Sequence, residues 1–325
     1  RHGLPRCPPA LHPLPRLSPH LGVPTVWVKR DDQTGLGLGG NKTRKLEFLL
    51  AEARATGCDT VVTGGALQSN HCHQTAAAAA RLGIACHLAL GAAKPPAQPT
   101  GNLLLDQLLG AELHFCGDQR KGESLPALEK SLRAQGRKPY VIPYGGSNAL
   151  GTLALAAAVG ELVGQLQTAN ATVDAIVVAS SSGGTQAGLA LGLAMFGLPA
   201  RLVGIAVDKH SGYGGTDEGW LADLANAAAD HIGYDRRFEA EDFDVRRNYL
   251  GAGYGVLGEA ERRAIATVAT QEGLLLDPVY SGRAMAGLMD LVTRRAFARD
   301  ETVLFWHTGG TPALFAYGDA LLASP

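Results

Sequence analysis

The chain has 325 residues, of which 46% are hydrophobic and 18% charged, so its composition excludes a disordered protein. Its 29 basic and 30 acidic residues give a formal net charge of −1, which argues against a general surface for nucleic acid or an anionic membrane. Glycine is abundant, with 42 residues where the average share is about 7%, and this favours tight turns and backbone that approaches a ligand closely.

Segments with strand and helix periodicity alternate along the first half of the chain, which predicts a parallel sheet covered by helices on both faces. Residues 1–24 are rich in proline and histidine and are expected to form an irregular arm. Strands are predicted at 25–29, 60–63, 85–89, 112–115 and 140–143. Helices are predicted at 42–54, 74–82, 102–109 and 124–135.

The second half continues this alternation after a break at Gly145-Gly146-Ser147-Asn148. Strands are predicted at 174–179, 201–207 and 302–306, and helices at 152–166, 187–196, 257–272, 283–294 and 311–322. The polar segment 208–246 is predicted to be mobile or to lie at an interface. We expect two α/β domains with a ligand-binding cleft between them.

The cysteines and the hydropathy pattern bear on the cellular compartment. Five scattered cysteines form no C-x-x-C pair, so we expect reduced thiols in a cytoplasmic protein. The cluster His71-Cys72-His73 has no second ligand pair at a suitable distance, so no metal is expected. No apolar run reaches about 18 residues, so no membrane span is expected either.

A basic segment follows the glycine turn over 35–40 and opens the first predicted helix, with Lys42 and Lys45 in its first turn. Basic residues are unfavourable at the positive end of a helix dipole, and a nearby anion would resolve that conflict. The same setting disfavours the ammonium form of Lys42, which then becomes a better nucleophilic amine. The alternative is that both are ordinary surface lysines.

Two further turns join a buried strand to a helix and offer backbone N–H groups to an anion. The turn Gln68-Ser69-Asn70-His71 can bind a carboxylate, or its Ser69 and Asn70 can simply cap the helix. The serine- and glycine-rich turn over 180–188 has the geometry of a phosphate cradle, with a serine-rich linker as the alternative. It matches neither a P-loop nor a dinucleotide fingerprint.

The last two segments are Tyr280-Ser281-Gly282 and His307-Thr308-Gly309-Gly310, and the second follows the end of a predicted strand. A nucleophilic lysine together with a separate phosphate cradle indicates a phosphorylated aldehyde held as a Schiff base, which is pyridoxal 5'-phosphate. Thr308 is then placed to face the pyridine nitrogen. A neutral hydroxyl there leaves the ring less electron-demanding than an aspartate would.

These motifs together resemble the D-cysteine desulfhydrase and 1-aminocyclopropane-1-carboxylate deaminase family, within the tryptophan-synthase-β-like pyridoxal-phosphate enzymes of fold type II. The similarity covers residues 20–318 and rests on five ordered segments, at 28–32, 40–47, 68–71, 277–282 and 307–310. It implies two three-layer α/β/α domains with mostly parallel twisted sheets. The large cofactor-binding domain is expected to comprise 1–45 and 151–325, and the small domain 46–150.

The resemblance implies roles for individual positions. Lys42 matches the Schiff-base lysine, and Asn70 matches the residue beside the cofactor's phenolic oxygen. Contacts to the cofactor's phosphate are expected from Lys45, Ser182, Gly183, Gly184 and Thr185.

Further positions match the family's catalytic and substrate-binding residues. Ser69 matches a contact to the substrate carboxylate that is sometimes proposed to carry a proton. Tyr254 and Tyr280 resemble the two active-site tyrosines. The substrate-binding set is therefore predicted to comprise Gln68, Ser69, Asn70, His71, Tyr254, Tyr280 and Ser281.

Two positions separate the branches of the family. The ring-opening deaminases are expected to carry glutamate and leucine where this chain has Ser281 and Thr308, which resemble the desulfhydrase branch. The L-cysteate sulfo-lyases are expected to carry the same residues at these two positions and remain an alternative. His73 and Arg283 depart from the pattern, and cations near the cleft would favour a charged sulfonate leaving group.

The resemblance therefore implies an α,β-elimination on a cysteine-like amino acid, with hydrosulfide leaving from D-cysteine or sulfite from cysteate. The rivals are the ring-opening deaminase and a non-catalytic protein that binds pyridoxal phosphate or an amino acid. The expected partner is a small amino-acid substrate, with no nucleic acid and no membrane. The apolar predicted helix 152–166 favours a homodimer.

Overall fold

The computed structural model of the protein describes residues 3–22, 25–208 and 215–323. Within these residues the strands form two sheets. The strands are β1 (Leu11–Pro13), β2 (Val26–Arg30), β3 (Thr60–Ala66), β4 (Ala85–Gly91), β5 (Glu112–Phe115), β6 (Pro139–Val141), β7 (Ala175–Ser180), β8 (Arg201–Ala206), β9 (Asp244–Arg246) and β10 (Val303–His307).

The larger sheet has the strand order β1-β2-β10-β7-β8-β9, and its pairs are parallel except for the antiparallel pair β1–β2. Its central strand β10 places Val303 opposite Val26 of β2 and Ala175 of β7. All residues of β7 and β10 are buried, as expected for strands of a parallel sheet covered on both faces.

The smaller sheet has the order β5-β4-β3-β6 and is parallel throughout, with Val61 of β3 opposite Cys86 of β4 and Tyr140 of β6. Its residues come from 60–141 only, whereas the larger sheet uses residues before and after that stretch. This separation supports two units, while the predicted domain limits (1–45 with 151–325, and 46–150) remain a proposal.

Helices cover both faces of the sheets. They are α1 (Leu17–Leu21), α2 (Lys42–Ala55), α3 (Asn70–Leu82), α4 (Gly101–Leu108), α5 (Leu125–Ala134), α6 (Ala149–Ala169), α7 (Gly184–Phe196), α8 (Glu218–Ile232), α9 (Glu259–Glu272), α10 (Ser281–Thr293) and α11 (Gly318–Leu322). A core of apolar side chains lies beneath them, with Leu46, Leu49 and Leu50 of α2 packed on the smaller sheet.

By length and composition, α6 could cross a membrane, although no such span was expected from the sequence. It packs instead like a core helix, with Leu155, Val159 and Leu162 fully buried and neighbouring helices α2, α7 and α8. Its apolar character is therefore explained within one chain and gives no support of its own to a dimer.

The segment 208–246, predicted to be mobile or at an interface, contains a helix, a 3₁₀ turn at Ala240–Asp242 and a strand, joined by irregular stretches such as 234–239. Helix α8 begins at an N-cap, Asp217, that accepts a hydrogen bond from the Trp220 N–H, and it buries Leu221, Leu224 and Ala225. Strand β9 adds an edge to the larger sheet. Positions 209–214 lie outside the described residues.

The predicted irregular arm also contains short elements, β1 and α1. The carboxylate of Glu272 holds the start of α1, since it accepts hydrogen bonds from the backbone N–H groups of Arg16 and Leu17. The arm therefore takes regular structure through contacts that are distant in sequence. The predicted helix over 311–322 is two elements, a 3₁₀ turn at Thr311–Ala316 followed by α11.

Candidate active site

A cavity of about 400 Å³, counting its solvent-open mouth, lies where the amino ends of four helices converge. These are α2, α3, α7 and α10, and their free N–H groups and dipoles favour anions at this place. The cavity is lined by Asn41, Lys42, Asn70, Ala179, Ser180, Ser181, Ser182, Gly183, Thr185, Gln186, Tyr280 and Thr308.

Lys42 is the first residue of α2, and its Nζ donates a hydrogen bond to the Gly145 carbonyl oxygen at 3.2 Å. Burial disfavours the charged form and lowers the pKa of Lys42 to about 8. A substantial fraction of this amine is therefore neutral near physiological pH, which is the form that attacks a carbonyl carbon or accepts a proton.

A buried ion-pair network fixes the helix that carries Lys42. The guanidinium of Arg44 makes two hydrogen bonds to Asp31, at 3.0 and 2.9 Å, and also contacts Glu161 of α6. Because Asp31 also accepts a hydrogen bond from the Trp306 indole at 2.9 Å, the network ties the first turn of α2 to β10 and α6.

Lys45 lies one turn further along α2 and is fully buried. Its Nζ donates to the Gly145 carbonyl at 3.1 Å and to Ser147 Oγ at 3.2 Å. Burial, followed by the charge of Lys42, lowers the pKa of Lys45 well below its ordinary value. Among the residues that the structure describes, neither lysine forms an ion pair with a carboxylate, so the pair lacks a counter-ion.

Ser147 lies at the centre of a polar cradle beside these lysines. Its Oγ pairs with Ser182 Oγ at 2.8 Å and accepts the Gly184 N–H at the start of α7, at 3.1 Å. The Thr185 hydroxyl accepts a hydrogen bond from the Asn41 amide at 2.9 Å. Hydroxyls, the Lys45 amine and a helix amino end therefore face one small region, as a phosphate group requires.

Two glycines keep this cradle open. A Cβ on Gly145 would lie 2.2 Å from Ser182 Oγ, and a Cβ on Gly184 would lie 2.7 Å from Ser147 Oγ and 2.8 Å from Lys45 Nζ. All three distances are below van der Waals contact. Any side chain at either position would displace the groups that can bind an anion.

The second predicted turn places Ser69 and Asn70 at the start of α3. The Ser69 hydroxyl caps this helix by accepting the Cys72 N–H at 3.2 Å, as one of the two interpretations of its sequence predicts. The Asn102 amide donates to Asn70 Oδ1 at 3.1 Å and to the Gln68 carbonyl at 2.9 Å. Asn102 thereby fixes the side chain of Asn70 at the cavity wall.

Two tyrosines meet at the side of the cavity. The hydroxyls of Tyr254 and Tyr280 are hydrogen-bonded, and their rings lie edge to face with centroids 5.9 Å apart. Burial raises the pKa of each phenol well above its ordinary value, so both stay protonated. The guanidinium of Arg120 lies 4.4 Å from the Tyr254 ring centre and makes two hydrogen bonds to Asp208, at 2.9 and 3.0 Å.

Asp277 holds Tyr280 in place. Its carboxylate accepts the backbone N–H groups of Val279, Tyr280 and Ser281 and the Ser281 hydroxyl, at 2.7–2.9 Å. The Ser281 side chain is therefore engaged in the turn that opens α10. Opposite it, Thr308 lines the cavity while its carbonyl accepts the Asn41 N–H at 3.0 Å.

The departures His73 and Arg283 do not place free cations in the cavity. His73 Nε2 donates to the Gly37 carbonyl at 2.7 Å, and burial lowers its pKa to about 4, so the ring is neutral. Arg283 pairs with Glu261 at 2.6 Å and donates to the carbonyls of Val207, Gly253 and Val256. These contacts position the loop that carries Tyr254.

His71 is also turned away from the cavity. Thr63 donates its hydroxyl proton to the Ile142 carbonyl at 2.9 Å, so His71 Nε2, at 2.9 Å from the same hydroxyl, is the donor of that contact. Burial, followed by the charges of Lys42 and Lys45, lowers the pKa of His71 well below its ordinary value. The ring is therefore a neutral part of the packing.

The structure thus brings most of the predicted cofactor residues to one cavity. Of the positions predicted from the sequence, Lys42, Asn70, Ser182, Gly183, Thr185, Tyr280 and Thr308 line it. Lys45, Gly184 and Tyr254 adjoin it through hydrogen bonds or close contacts. Outside its lining lie Gln68, Ser69, His71 and Ser281, whose predicted contacts to substrate remain proposals.

Several residues that shape the site were missed in the sequence. In the sequence Ser147 belongs to the break Gly145-Gly146-Ser147-Asn148, although a serine after two glycines is typical of an anion-binding turn. Asn41 belongs to the motif at 40–47, but its partner Thr185 lies 144 residues away, so its role was not apparent. Asn102 and Arg120 belong to no motif, and their partners lie 32 and 88 residues away.

The site combines an amine with a lowered pKa, a cradle for a dianion and a pair of neutral phenols. Two buried lysine amines that have no carboxylate partner among the described residues lie beside a cradle that a Cβ would fill, and this arrangement fits the aldehyde and phosphate ends of pyridoxal phosphate. Lys42 is suited to the aldehyde end, and Lys45, Ser147, Ser182, Gly184 and Thr185 to the phosphate end.

Comparisons with known proteins agree with this chemistry. The family model described as "Pyridoxal-phosphate dependent enzyme" matches residues 5–309. The D-cysteine desulfhydrase of Klebsiella pneumoniae (strain 342) is 42% identical over 322 residues, which cover 95% of this chain and 94% of that protein. The D-cysteine desulfhydrase of Serratia proteamaculans (strain 568) is 43% identical over 313 residues, covering 94% and 92%.

Solved structures show the same architecture. An "ACC deaminase homologue" is 39% identical with a TM-score of 0.88, and the match covers 98% of this chain and 94% of the other. O-ureido-L-serine synthase is 16% identical with a TM-score of 0.69, covering 99% and 95%, and supports the fold alone. The expected type II fold of two α/β units is confirmed.

Proposed function

The chain belongs to the pyridoxal-phosphate dependent enzymes, and we propose that it is a D-cysteine desulfhydrase, a carbon–sulfur lyase. The overall reaction converts D-cysteine and water to pyruvate, hydrogen sulfide and ammonia. The observation that carries the proposal is a pair of lysines, Lys42 and Lys45, which have no carboxylate partner in the described part of the chain and lie beside the cradle at the start of α7. The curated desulfhydrase relatives support the substrate.

Pyridoxal phosphate, when bound, withdraws electrons from the α-carbon of an amino acid and so makes its α-proton acidic. Lys42 is suited to bond the cofactor's aldehyde and, once displaced by the substrate amine, to accept the α-proton at Nζ. Its pKa of about 8 lies close to the operating pH, which favours a general base that must also release its proton.

Loss of the β-substituent breaks the Cβ–S bond, and the electron pair leaves on sulfur. Tyr280 faces the cavity with a protonated hydroxyl, so we assign it to orient the leaving hydrosulfide or to donate a proton to it. Tyr254 holds the Tyr280 hydroxyl through their mutual hydrogen bond. Free 2-aminoacrylate then hydrolyses to pyruvate and ammonia.

The amino end of α3 is assigned to the substrate carboxylate. Ser69 and Asn70 lie at this end, where free N–H groups and the helix dipole favour an anion. Asn102 keeps the Asn70 side chain in one orientation. Asn70 and Lys42 line the same cavity, so a cysteine bound at this end shares the cavity with the Lys42 amine.

The argument for a sulfonate leaving group depended on free cations near the cleft, and the two candidate residues do not supply them. His73 is neutral and bonded to a backbone carbonyl, and Arg283 is fully engaged by Glu261 and three carbonyls. Hydrosulfide needs no free cation in the cavity, whereas a sulfonate would favour one. A cytoplasmic location and a homodimer stay predictions for this chain.

A substrate panel tests the proposed reaction. The cofactor-loaded protein is assayed for pyruvate with D-cysteine, L-cysteine, D- and L-cysteate and β-chloro-D-alanine, and for 2-oxobutyrate with 1-aminocyclopropane-1-carboxylate. We expect the highest kcat/KM with D-cysteine, with turnover of β-chloro-D-alanine and little 2-oxobutyrate. A higher kcat/KM with cysteate, together with sulfite release, would assign the chain to the sulfo-lyases instead.

The phosphate cradle predicts the effect of Gly184→Ala. The added Cβ displaces Ser147 Oγ and Lys45 Nζ, so we expect the dissociation constant for pyridoxal phosphate to rise about 10- to 100-fold, or about 1.4–2.7 kcal/mol. Titration of the cofactor-free protein by absorbance measures it. Gly164→Ala on the exposed face of α6, where a Cβ meets no atom within 4 Å, is the matched control and should leave the constant unchanged.

The lowered pKa of Lys42 predicts how cofactor uptake depends on pH. Only the neutral amine attacks the aldehyde, so the rate of uptake by the cofactor-free protein should rise with pH and reach half its plateau at about pH 8. Stopped-flow absorbance gives this rate. A midpoint near the ordinary lysine value of 10.5 would show that burial does not shift this group.

A further inference from the structure

A cluster of two histidines and a glutamate lies on the outer strands of the smaller sheet. His87 belongs to β4, and Glu112 and His114 belong to β5, which is an edge strand. Alternate residues of a strand point to the same face, so Glu112 and His114 share a face of β5. His87 lies directly opposite Glu112 in the register of the pair and completes the cluster.

The polar atoms of this cluster converge on one point. His87 Nδ1 and His114 Nε2 are 3.1 Å apart, and each lies 3.6 Å from an oxygen of the Glu112 carboxylate. Their imidazole rings are stacked with centroids 5.3 Å apart. A tetrahedral ion with bonds of about 2.0–2.1 Å separates its ligand atoms by about 3.3–3.4 Å, which lies between the distances of 3.1 and 3.6 Å found here.

The cluster is also accessible from solvent. The Glu112 side chain is 66% exposed and the His114 side chain 29% exposed. An ion can therefore enter from solvent and keep a water molecule as a further ligand.

We propose that His87, Glu112 and His114 form a binding site for a divalent transition-metal ion, for which Zn²⁺ is the best chemical match. Two imidazoles and one carboxylate are a ligand set that zinc uses in proteins. The ion joins edge strand β5 to β4 through side chains as well as backbone. The segment after β5 leads to Arg120, which contacts Tyr254, so the ion also steadies the base of that segment.

Zinc titration of the cofactor-loaded protein, with any affinity tag removed, tests this site. Calorimetry should give one more zinc equivalent per chain for the wild type than for His114→Gln, and zinc should raise the Tm of the wild type alone by several degrees. Glu112→Gln, which keeps both histidines, should weaken binding about tenfold. Equal zinc uptake by the wild type and His114→Gln would overturn the proposal.

The controls separate this site from adventitious binding and from the proposed reaction. His231 is exposed at the end of α8, far along the chain from the cluster, so His231→Gln should bind zinc as the wild type does. Pyruvate release should be unchanged in His114→Gln without zinc, because this residue is not part of the cavity. If His231→Gln loses zinc binding as His114→Gln does, the assignment is also contradicted.

Discussion

Replacement of Lys42 by alanine is expected to lower kcat for pyruvate release from D-cysteine by at least about a thousandfold. The substitution removes both the amine proposed to bond the cofactor's aldehyde and the base proposed to accept the α-proton. No neighbour can substitute for both tasks, since Lys45 Nζ is held by Gly145 and Ser147 in the phosphate cradle.

Two measurements check this variant. Its absorption spectrum should lack the visible band of lysine-bound pyridoxal phosphate, and its pyruvate assay should show the loss of turnover. Lys94→Ala, at an exposed lysine outside the cavity, is the control and should keep both. A Lys42→Ala protein with an unchanged spectrum would show that another amine binds the cofactor.

Replacement of Tyr280 by phenylalanine is expected to lower kcat for D-cysteine about a hundredfold while the cofactor's visible absorbance is retained. The change removes only the hydroxyl that faces the cavity. The ring keeps its place, because Asp277 binds the backbone N–H groups of Val279, Tyr280 and Ser281 rather than the phenol. KM should change little, since the substrate carboxylate is assigned to α3.

Steady-state kinetics of pyruvate release measure this effect. Tyr140→Phe removes a hydroxyl that is hydrogen-bonded to Glu52 on the smaller sheet, away from the cavity, and should leave kcat unchanged. If the Tyr280 hydroxyl donates this proton, Tyr280→Phe should lower kcat less for β-chloro-D-alanine than for D-cysteine, because the leaving chloride needs no proton. An equal loss with both substrates would reject proton donation to sulfur.

The sequence was most informative where strand, turn and helix follow one another closely. Each of the turns at 39–45, 68–71 and 180–185 leads into the first turn of a helix, and the structure brings all three to one cavity. Helix α8 was missed because four of its six buried residues are alanines, Ala222, Ala225, Ala228 and Ala229. Alanines give a weak periodic signal, and the helix gains its stability from packing.

The remaining parts of the site depend on contacts between distant segments. Ser147 becomes the centre of the cradle only when α2, α7 and the turn before α6 come together. Arg283 stood out as a departure from the family pattern, yet its buried side chain fixes a loop instead of contacting a substrate. Which face of a helix a cation occupies cannot be read from its position in the sequence alone.

The stoichiometry of the products tests the central claim most directly. The purified, cofactor-loaded protein is incubated with D-cysteine, and pyruvate, sulfide and ammonia are quantified over the same time course beside the Lys42→Ala variant. The proposed elimination predicts equal amounts of the three products from the wild type and almost none from the variant. Pyruvate without sulfide, or sulfide release that persists in the variant, would contradict it.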